Sequence, residues 1–442
     1  MAPKRPGDLI PNPSIKKRNL QWKLSPPNTP GSSSPPNGPS STKRNTSPKS
    51  WPPTTAAIES GKARITNPAD HFATHLGNHI LASPLPLLPI PSYTALYAGS
   101  LTAQSSHFVI HQHDHPVAGL HYDLRLQINP ASSVSWAIMY GPPGDPNSVR
   151  PNRNATETRV HSLWNHLVET ASPQTGSLLI WDTGTYTVLP RRAKHAPTTD
   201  PSSQSSPEDE PRPQQELLQE AFRNRKIRLQ LHGSKLPETY VVNLRLTKQD
   251  DAEGRAKSNR QPRGKRTRVK QADPETSSNS DVITDDEHDE HDEHDEADGK
   301  RVLAPGSREV GQAQHVSALK AELQELEDAE IRRTNAYPGA SNTIGSIHQR
   351  RWYLSLDRRA CGFEQRLRGR RAVWQCPSTS ASTCTSDAKG GTDAMQRLSF
   401  PFYVRGVLHE RSVVTARTGE DVMHDEGVRD FVRRKGWQPV LN

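Results

Sequence analysis

The segment HQHDHPVAGLHYDLR, residues 111–125, contains four histidines, two aspartates and one arginine. In a β-strand, residues two positions apart lie on the same face. A strand HYDLR therefore places His121, Asp123 and Arg125 together, with the apolar side chains between them facing the other way. Imidazole and carboxylate are ligands that suit divalent manganese, zinc or iron. The spacing indicates a metal site on one face of a strand.

Three more histidines precede this strand, and the same rule places His111, His113 and His115 on one face. If the two strands are neighbours, imidazoles and a carboxylate converge on one place. Arg125 is not a ligand, because guanidinium stays protonated, but it can clamp a phosphate beside a metal. The alternative is a polar strand face on which the histidines are satisfied by hydrogen bonds within the protein.

A second segment, NRNATETRVHSLWNHL at 152–167, adds further basic and imidazole side chains: Arg153, Arg159, His161 and His166. By itself it is equally typical of the surface of a loop leading into a helix. It becomes a candidate for the same site only if the fold brings it near residues 111–125.

Short runs rich in β-branched and aromatic residues, separated by Pro, Gly and Asn, occupy the middle of the chain. Examples are SVSWAIMY, GSLLIWDTGTYTVL, IRLQLHG and ETYVVNLRL, with one helix candidate, QELLQEAFRN at 215–224. Strands at this spacing predict a fold dominated by β-structure, a sandwich or a small closed β-barrel with peripheral helices and long disordered inserts.

The composition of the whole chain is poor material for a core, since hydrophobic residues are 31% of it and prolines number 39, so a large part of the chain should be disordered. Short apolar patterns nevertheless recur after residue 308, and the capping pair Thr418 and Asp421 indicates a closing helix. The predicted organisation is a disordered basic arm at 1–70, a barrel domain at 71–249, a disordered basic and acidic linker at 250–308, an amphipathic helix at 309–335 that docks on the barrel, and an extension at 345–442 that completes the barrel with a strand at 350–358, an insert at 376–393 and a helix at 419–435.

The composition also bounds the location and the partners. The longest apolar stretch, residues 81–92, is interrupted by prolines, and the N-terminus lacks the apolar region of a secretory signal, so we expect neither a membrane span nor secretion. The net charge of +9 favours polyanion partners. The basic runs at 16–18 and 262–270 favour a nuclear location.

The motifs around the histidines resemble the 3′-phosphoesterase domain of bacterial DNA ligase D, a family that also occurs as free-standing proteins. Its first motif is similar to FVIHQHD at 108–114 and LHYDLRL at 120–126. Later motifs follow in the same order, as SWAIMYG at 135–141, LLIWDTG at 178–184 and LHGSKLP at 231–237. The resemblance covers roughly 106–246 and implies a small β-barrel with a manganese site that trims the 3′ ends of DNA.

The resemblance also implies residue roles. The family's metal ligands correspond to His113, His121 and Asp123. His115 is the alternative to His113, because it keeps the family's spacing to His121 in a loop that is longer here.

The family's contacts to the scissile phosphate correspond to Arg125 and His161, with Arg153 as a second arginine contact. Two expected residues differ, since Tyr140 stands where the family has lysine and Asn165 where it has tyrosine. The glycine-rich segment before LLIWDTG is also shortened, to ETASPQTGS.

We therefore expect a manganese-dependent phosphoesterase that removes a 3′-phosphate or a 3′-terminal ribonucleotide in DNA repair. DNA 3′ ends would be its partner, with repair proteins contacting the disordered tails. One alternative is a non-catalytic descendant that binds nucleic acid or a repair protein. Another is an iron oxygenase in which His121, Asp123 and the distant His161 form the ligand triad.

Overall fold

The computed structural model describes residues 54–190, 212–258, 318–368, 371–376 and 397–441, all within the unit Pro53–Asn442. Its strands are β1 His107–His115, β2 Gly119–Asn129, β3 Ser132–Ile138, β4 Asn152–Glu157, β5 His161–Ser162, β6 Thr170–Ser172, β7 Gly176–Val188, β8 Lys226–Gly233, β9 Val241–Arg245, β10 Arg351–Leu356, β11 Glu364–Arg368 and β12 Arg371–Gln375. Its helices are α1 Thr55–Glu59, α2 Pro68–Gly77, α3 Ile90–Gly99, α4 Gln214–Arg223, α5 Lys248–Ser258, α6 Ala318–Thr334 and α7 Gly419–Asp425, with a 3-10 helix at Leu163–Leu167.

Eight antiparallel strands close into a barrel in the order β1-β2-β3-β4-β10-β9-β8-β7, and β7 pairs back with β1. Strand β5 pairs with β3 and β6 with β7 outside this ring, and β11 and β12 form a separate hairpin. The predicted fold class, a small closed β-barrel with peripheral helices, is confirmed. Because the ring is closed, its eight strands have no unpaired edge.

Alternate residues of the ring fill the barrel with apolar side chains. One buried cluster takes residues from all eight strands, among them Phe108, Leu124, Trp136, Ala155, Trp181, Leu229, Leu244 and Leu354. Since side chains alternate along a strand, the neighbours of these residues point to the outer face. The polar side of HYDLR is therefore on the outside of the barrel.

Helices α1 to α3 cover part of that outer face. Ile58 of α1 and Phe72 of α2 pack in a second buried cluster with Val109 of β1 and Ile180 of β7. The predicted arm at 1–70 is therefore wrong for residues 54–70. Thr54 caps α1 by accepting from the backbone N–H of Ala57, and the helix buries Ile58 to 2% exposure.

The strand predicted at 350–358 is β10, which lies between β4 and β9 and occupies the eighth position of the ring. Arg350, just before it, pairs with the buried Glu157 of β4 at 2.8 Å and with Asp251 of α5 at 2.7 Å. The predicted linker at 250–308 thus begins too early, since residues up to 258 form a helix bonded to the start of β10.

Two predicted helices differ from the structure. Helix α6 carries Leu323 and Leu326 exposed to solvent, so these two leucines do not dock on the barrel as expected. Helix α7 has the predicted Thr418–Asp421 capping box but ends at Asp425 rather than near 435, because Gly427 adopts a left-handed φ of +68°.

Several predicted segments lie outside the described residues: 1–53, 259–317 and 377–396, which include both basic runs, the acidic–histidine run and nearly all of the insert at 376–393. Within the described ranges, none of the helices is long and apolar enough to cross a membrane.

Candidate active site

Three of the predicted ligands meet on the outer face of β1 and β2. His113 lies directly opposite His121 in the strand register. Nδ1 of His113 is 3.4 Å from Oδ2 of Asp123, and Nε2 of His121 is 3.4 Å from Oδ1 of the same carboxylate. One possible ligand atom from each residue lies within 4.8 Å of the others, and no other such group of three occurs among the described residues.

The second nitrogen of each ring fixes which nitrogen is free to bind. Nε2 of His113 is 2.9 Å from the carbonyl oxygen of Thr175, and Nδ1 of His121 is 2.8 Å from that of Gly119. Carbonyl oxygens only accept, so these nitrogens carry the hydrogens. When both rings are neutral, the two lone pairs face Asp123, which is how metal-binding histidines are oriented. The three residues fit a divalent metal.

Burial and nearby charges favour the protonation states in which two of these side chains can bind a metal, a neutral His121 and an ionised Asp123. Burial lowers the pKa of His121 to about 4, so that it is neutral at pH 7. Burial alone would raise the pKa of Asp123, but the nearby His121, His113 and Arg125 hold it well below its usual range. Burial opposes protonation of His113, yet its interaction with Asp123 raises the pKa of His113. A metal would displace that proton.

Arg125 lies beside His113, His121 and Asp123, which we call the metal group, and its guanidinium already donates hydrogen bonds within the protein. Its Nη2 donates to Oδ2 of Asp123 at 3.1 Å and its Nη1 to Oδ1 of Asn165 at 2.5 Å. Asn165, one of the departures from the family's pattern, therefore holds the arginine. Only Nε of Arg125 has no hydrogen-bond partner among the described residues, and the side chain is 2% exposed.

His161 is on the same outer face but outside the metal group. It pairs with Ser133 of β3, and the charges of Arg125 and Asp123 act on it. Burial, and then Arg125, lower the pKa of His161 well below its usual range, so the ring is neutral and offers one N–H. The triad of the oxygenase hypothesis, with His161 as ligand, is not among the described groups of possible ligands.

His115 and Arg153 are placed elsewhere. Nδ1 of His115 accepts the backbone N–H groups of Val117 and Ala118, at 3.1 and 3.0 Å, and the ring is not part of the metal group.

Arg153 is on the opposite face of the sheet from Arg125. It lies two residues before Ala155, whose side chain points into the barrel, so the two share a face. Arg153 donates to the carbonyl oxygen of Arg150. The side chains whose charges act on it most are Tyr240, Arg150, Tyr140 and Asp145. The predicted phosphate contact through Arg153 does not agree with this register.

No sequence pattern pointed to Glu59 as a site residue, because helix α1 was not predicted. Burial raises the pKa of Glu59, and the charges of His113, Arg125 and Asp123 act on its carboxyl group. A carboxyl from the N-terminal helices therefore lies near the metal group. Composition alone had assigned this region to a disordered arm.

A chain of buried hydrogen bonds ends at a further histidine. Thr183 Oγ1 donates to the carbonyl oxygen of Phe108, so Nε2 of His107, 3.2 Å away, must donate to Thr183. Nδ1 of His107 then accepts from Nδ1 of His166 at 2.7 Å. Nε2 of His166 is left with a lone pair, buried and without a partner among the described residues. Burial lowers the pKa of His107 to about 3, which keeps the chain neutral.

The comparison with protein families agrees with this geometry. Residues 111–244 match the DNA Ligase D 3′-phosphoesterase domain. The resemblance inferred from the motifs is confirmed for this part of the chain. None of the curated proteins matches the chain. The matched residues 111–244 include the metal group, Arg125 and His161, whereas Glu59 and strand β10 lie outside this range.

Proposed function

We propose that this protein is a metal-dependent phosphoesterase that processes DNA 3′ ends in DNA repair, removing a 3′-phosphate or a 3′-terminal ribonucleotide. The observation that carries the proposal is the group His113, His121 and Asp123. In both histidines the ring nitrogen that does not bond a backbone carbonyl faces the carboxylate, and all three residues lie inside the matched range 111–244. Arg125 beside it supplies a fixed positive charge.

Manganese is the proposed metal, held by His113, His121 and Asp123, because two imidazoles and a carboxylate suit it and the resemblance implies it. When bound, it would act as a Lewis acid on a phosphoryl oxygen and lower the pKa of a bound water. Zinc and iron suit the same ligands, so the identity of the metal is itself part of the test.

The remaining side chains bind and orient the phosphate. Arg125 stabilises the charge on the phosphate oxygens, and removing such a contact costs about 3 kcal/mol, or two orders of magnitude in rate. His161 holds the phosphate as a neutral N–H donor, because its lowered pKa leaves it without a proton to transfer at pH 7. The buried position of Arg125 requires the ligand to approach from the side of His113, whose side chain is the most exposed of the metal group at 20%.

Three further proposals concern residues outside the described ranges. The basic N-terminal arm would add affinity for DNA without reading its sequence, since phosphate contacts carry no base information. The basic runs would direct the protein to the nucleus. Repair proteins would contact the tails. Each rests on composition alone.

Manganese titration together with release of phosphate from 3′-phosphate DNA tests the proposal. His121→Ala and Asp123→Ala should lose manganese and activity, since even residues that only orient a ligand cost about 10–100-fold in affinity. Arg125→Ala and His161→Ala should keep manganese and lose turnover.

His113→Ala and His115→Ala form a matched pair two positions apart on β1. The first should lose the metal and the second should keep it. Loss of metal in His161→Ala would instead support the oxygenase. A wild-type protein that binds manganese but processes none of the 3′-blocked substrates would leave the non-catalytic binder as the better description.

A further inference from the structure

Next to the metal group lies a set of buried polar atoms without partners. His111 is 0% exposed, and neither of its ring nitrogens has a hydrogen-bond partner among the described residues. The same holds for Nε of Arg125 and Oγ of the buried Ser135. Buried polar groups are nearly always paired, so such a concentration indicates that something else binds there.

The strand register brings these atoms together on the outer face. His111 on β1 lies opposite Asp123 on β2, and Arg125 lies opposite Ser135 on β3. Side chains directly opposite one another are about 5 Å apart at Cβ, and diagonal ones about 7–8 Å. The unpaired atoms therefore form a band across three adjacent strands, on the side of Asp123 away from His121.

The chemistry of the band suits a tetrahedral oxyanion. Nε of Arg125 can only donate, the hydroxyl of Ser135 can donate, and a neutral imidazole has one N–H to give. The positive charge of Arg125 favours an anion over a neutral ligand, and phosphate oxygens accept several such bonds at once.

We propose that His111 is a further phosphate-binding residue of the site, which together with Nε of Arg125 and Oγ of Ser135 holds the oxygens of the substrate's phosphate group. The inference rests on the proposed function and adds a residue to which the resemblance assigns no role. It is a positioning contact to the substrate and not a metal ligand, since His111 lies outside the metal group.

The test is calorimetric binding of inorganic phosphate to the manganese-loaded full chain, which needs no turnover. His111→Phe removes both nitrogens at similar volume, and we expect phosphate binding to weaken about tenfold to a hundredfold. Manganese affinity should change little. His71→Phe is the matched control, a histidine of α2 outside the site, and should bind phosphate as the wild type does.

A second pair keeps the test decisive if the phenylalanine variant does not fold. His111→Gln keeps an amide donor at similar reach, whereas His111→Asn withdraws it, so the first should bind phosphate more tightly than the second. Equal phosphate affinity in wild type, Gln and Asn variants overturns the inference, as does loss of manganese in all His111 variants. If phosphate binding depends on His111 but no 3′ end is processed, the inference stands and the proposed activity fails.

Discussion

Arg350 joins the strand that closes the barrel to the strand beside it, which makes its replacement by methionine a sensitive test of the architecture. Its Nε and Nη2 donate to the two oxygens of Glu157 at 2.8 and 3.2 Å, and its Nη1 donates to Asp251 at 2.7 Å. The side chains of Arg350 and Glu157 are 3% and 0% exposed. Arg350→Met keeps the aliphatic volume and leaves the carboxylate of Glu157 buried beside β10.

The expected cost follows from that burial. Removing one partner of a buried ion pair costs about 3–5 kcal/mol, because the other charge stays without compensation. Trp352 Nε1 and the backbone N–H of Ile347 still donate to Glu157, so we expect the lower part of that range. With a urea dependence of about 2–3 kcal/mol per molar, the unfolding midpoint should fall by roughly 1–2 M.

Urea unfolding followed by tryptophan fluorescence measures this, since Trp352 is buried in the barrel. Arg351→Met is the matched control next along the chain. That side chain is 44% exposed, and its Nε lies 3.8 Å from Oδ1 of Asp250, which is a long and exposed ion pair. Its loss should therefore lower the free energy of unfolding by no more than about 1 kcal/mol. If Arg350→Met costs as little as Arg351→Met, then β10 does not close the barrel through this buried pair and the reasoning is wrong.

Three further outcomes are expected. Thr183→Val removes the acceptor that fixes His107, so nitrogen NMR of the imidazoles should show His166 losing its single Nδ1–H form, whereas an unchanged tautomer would contradict the hydrogen-bond chain. The pKa values of His107 and His121, lowered by burial to about 3 and about 4, favour the unfolded state in acid. Above the pKa of an unfolded histidine, near 6.5, the neutral rings do not lower the free energy of unfolding. As the pH falls from there toward the pKa of the folded state, each of the two histidines lowers the free energy of unfolding by about 1.4 kcal/mol per pH unit. Equilibrium unfolding at pH 7 and pH 5 measures this difference. An equal free energy of unfolding at the two pH values would contradict the burial of the two histidines. Thr418→Ala should cost about 1 kcal/mol in the same assay, because the Thr418 hydroxyl accepts an N–H at the start of α7.

The sequence was sufficient for the metal group because its geometry is local. His121 and Asp123 share a face by strand periodicity alone, and only the pairing with His113 needed a fold. Arg153 shows the limit of that rule. Periodicity predicts which residues of one strand share a face, but the register with the neighbouring strands decides which face turns inward. Arg153 lies on the inward, apolar face of its strand.

The cover over the site was beyond sequence reasoning for a different reason. Helices α1 and α3 lie among prolines and small residues, which favour disorder by composition, yet they bury Ile58 and Tyr93 against the barrel. Their stability comes from tertiary packing rather than from helix propensity. Glu59 could not be connected with the metal group until this packing was known.

The range matched by the family and the range needed for the fold are not the same. Residues 111–244 hold seven of the ring's strands, although β1 begins four residues earlier and β9 ends one residue later, and the eighth, β10, comes from 351–356. Without β10, strands β4 and β9 would each present an unpaired edge, which is costly and prone to association. The metal group lies on β1 and β2, on the far side of the ring from β10. Removing β10 would therefore affect the site by opening the closed sheet and not by removing a ligand. The three residues of the metal group thus lie within a segment of fifteen residues, but the scaffold that holds them in place depends on a strand more than two hundred residues further along the chain.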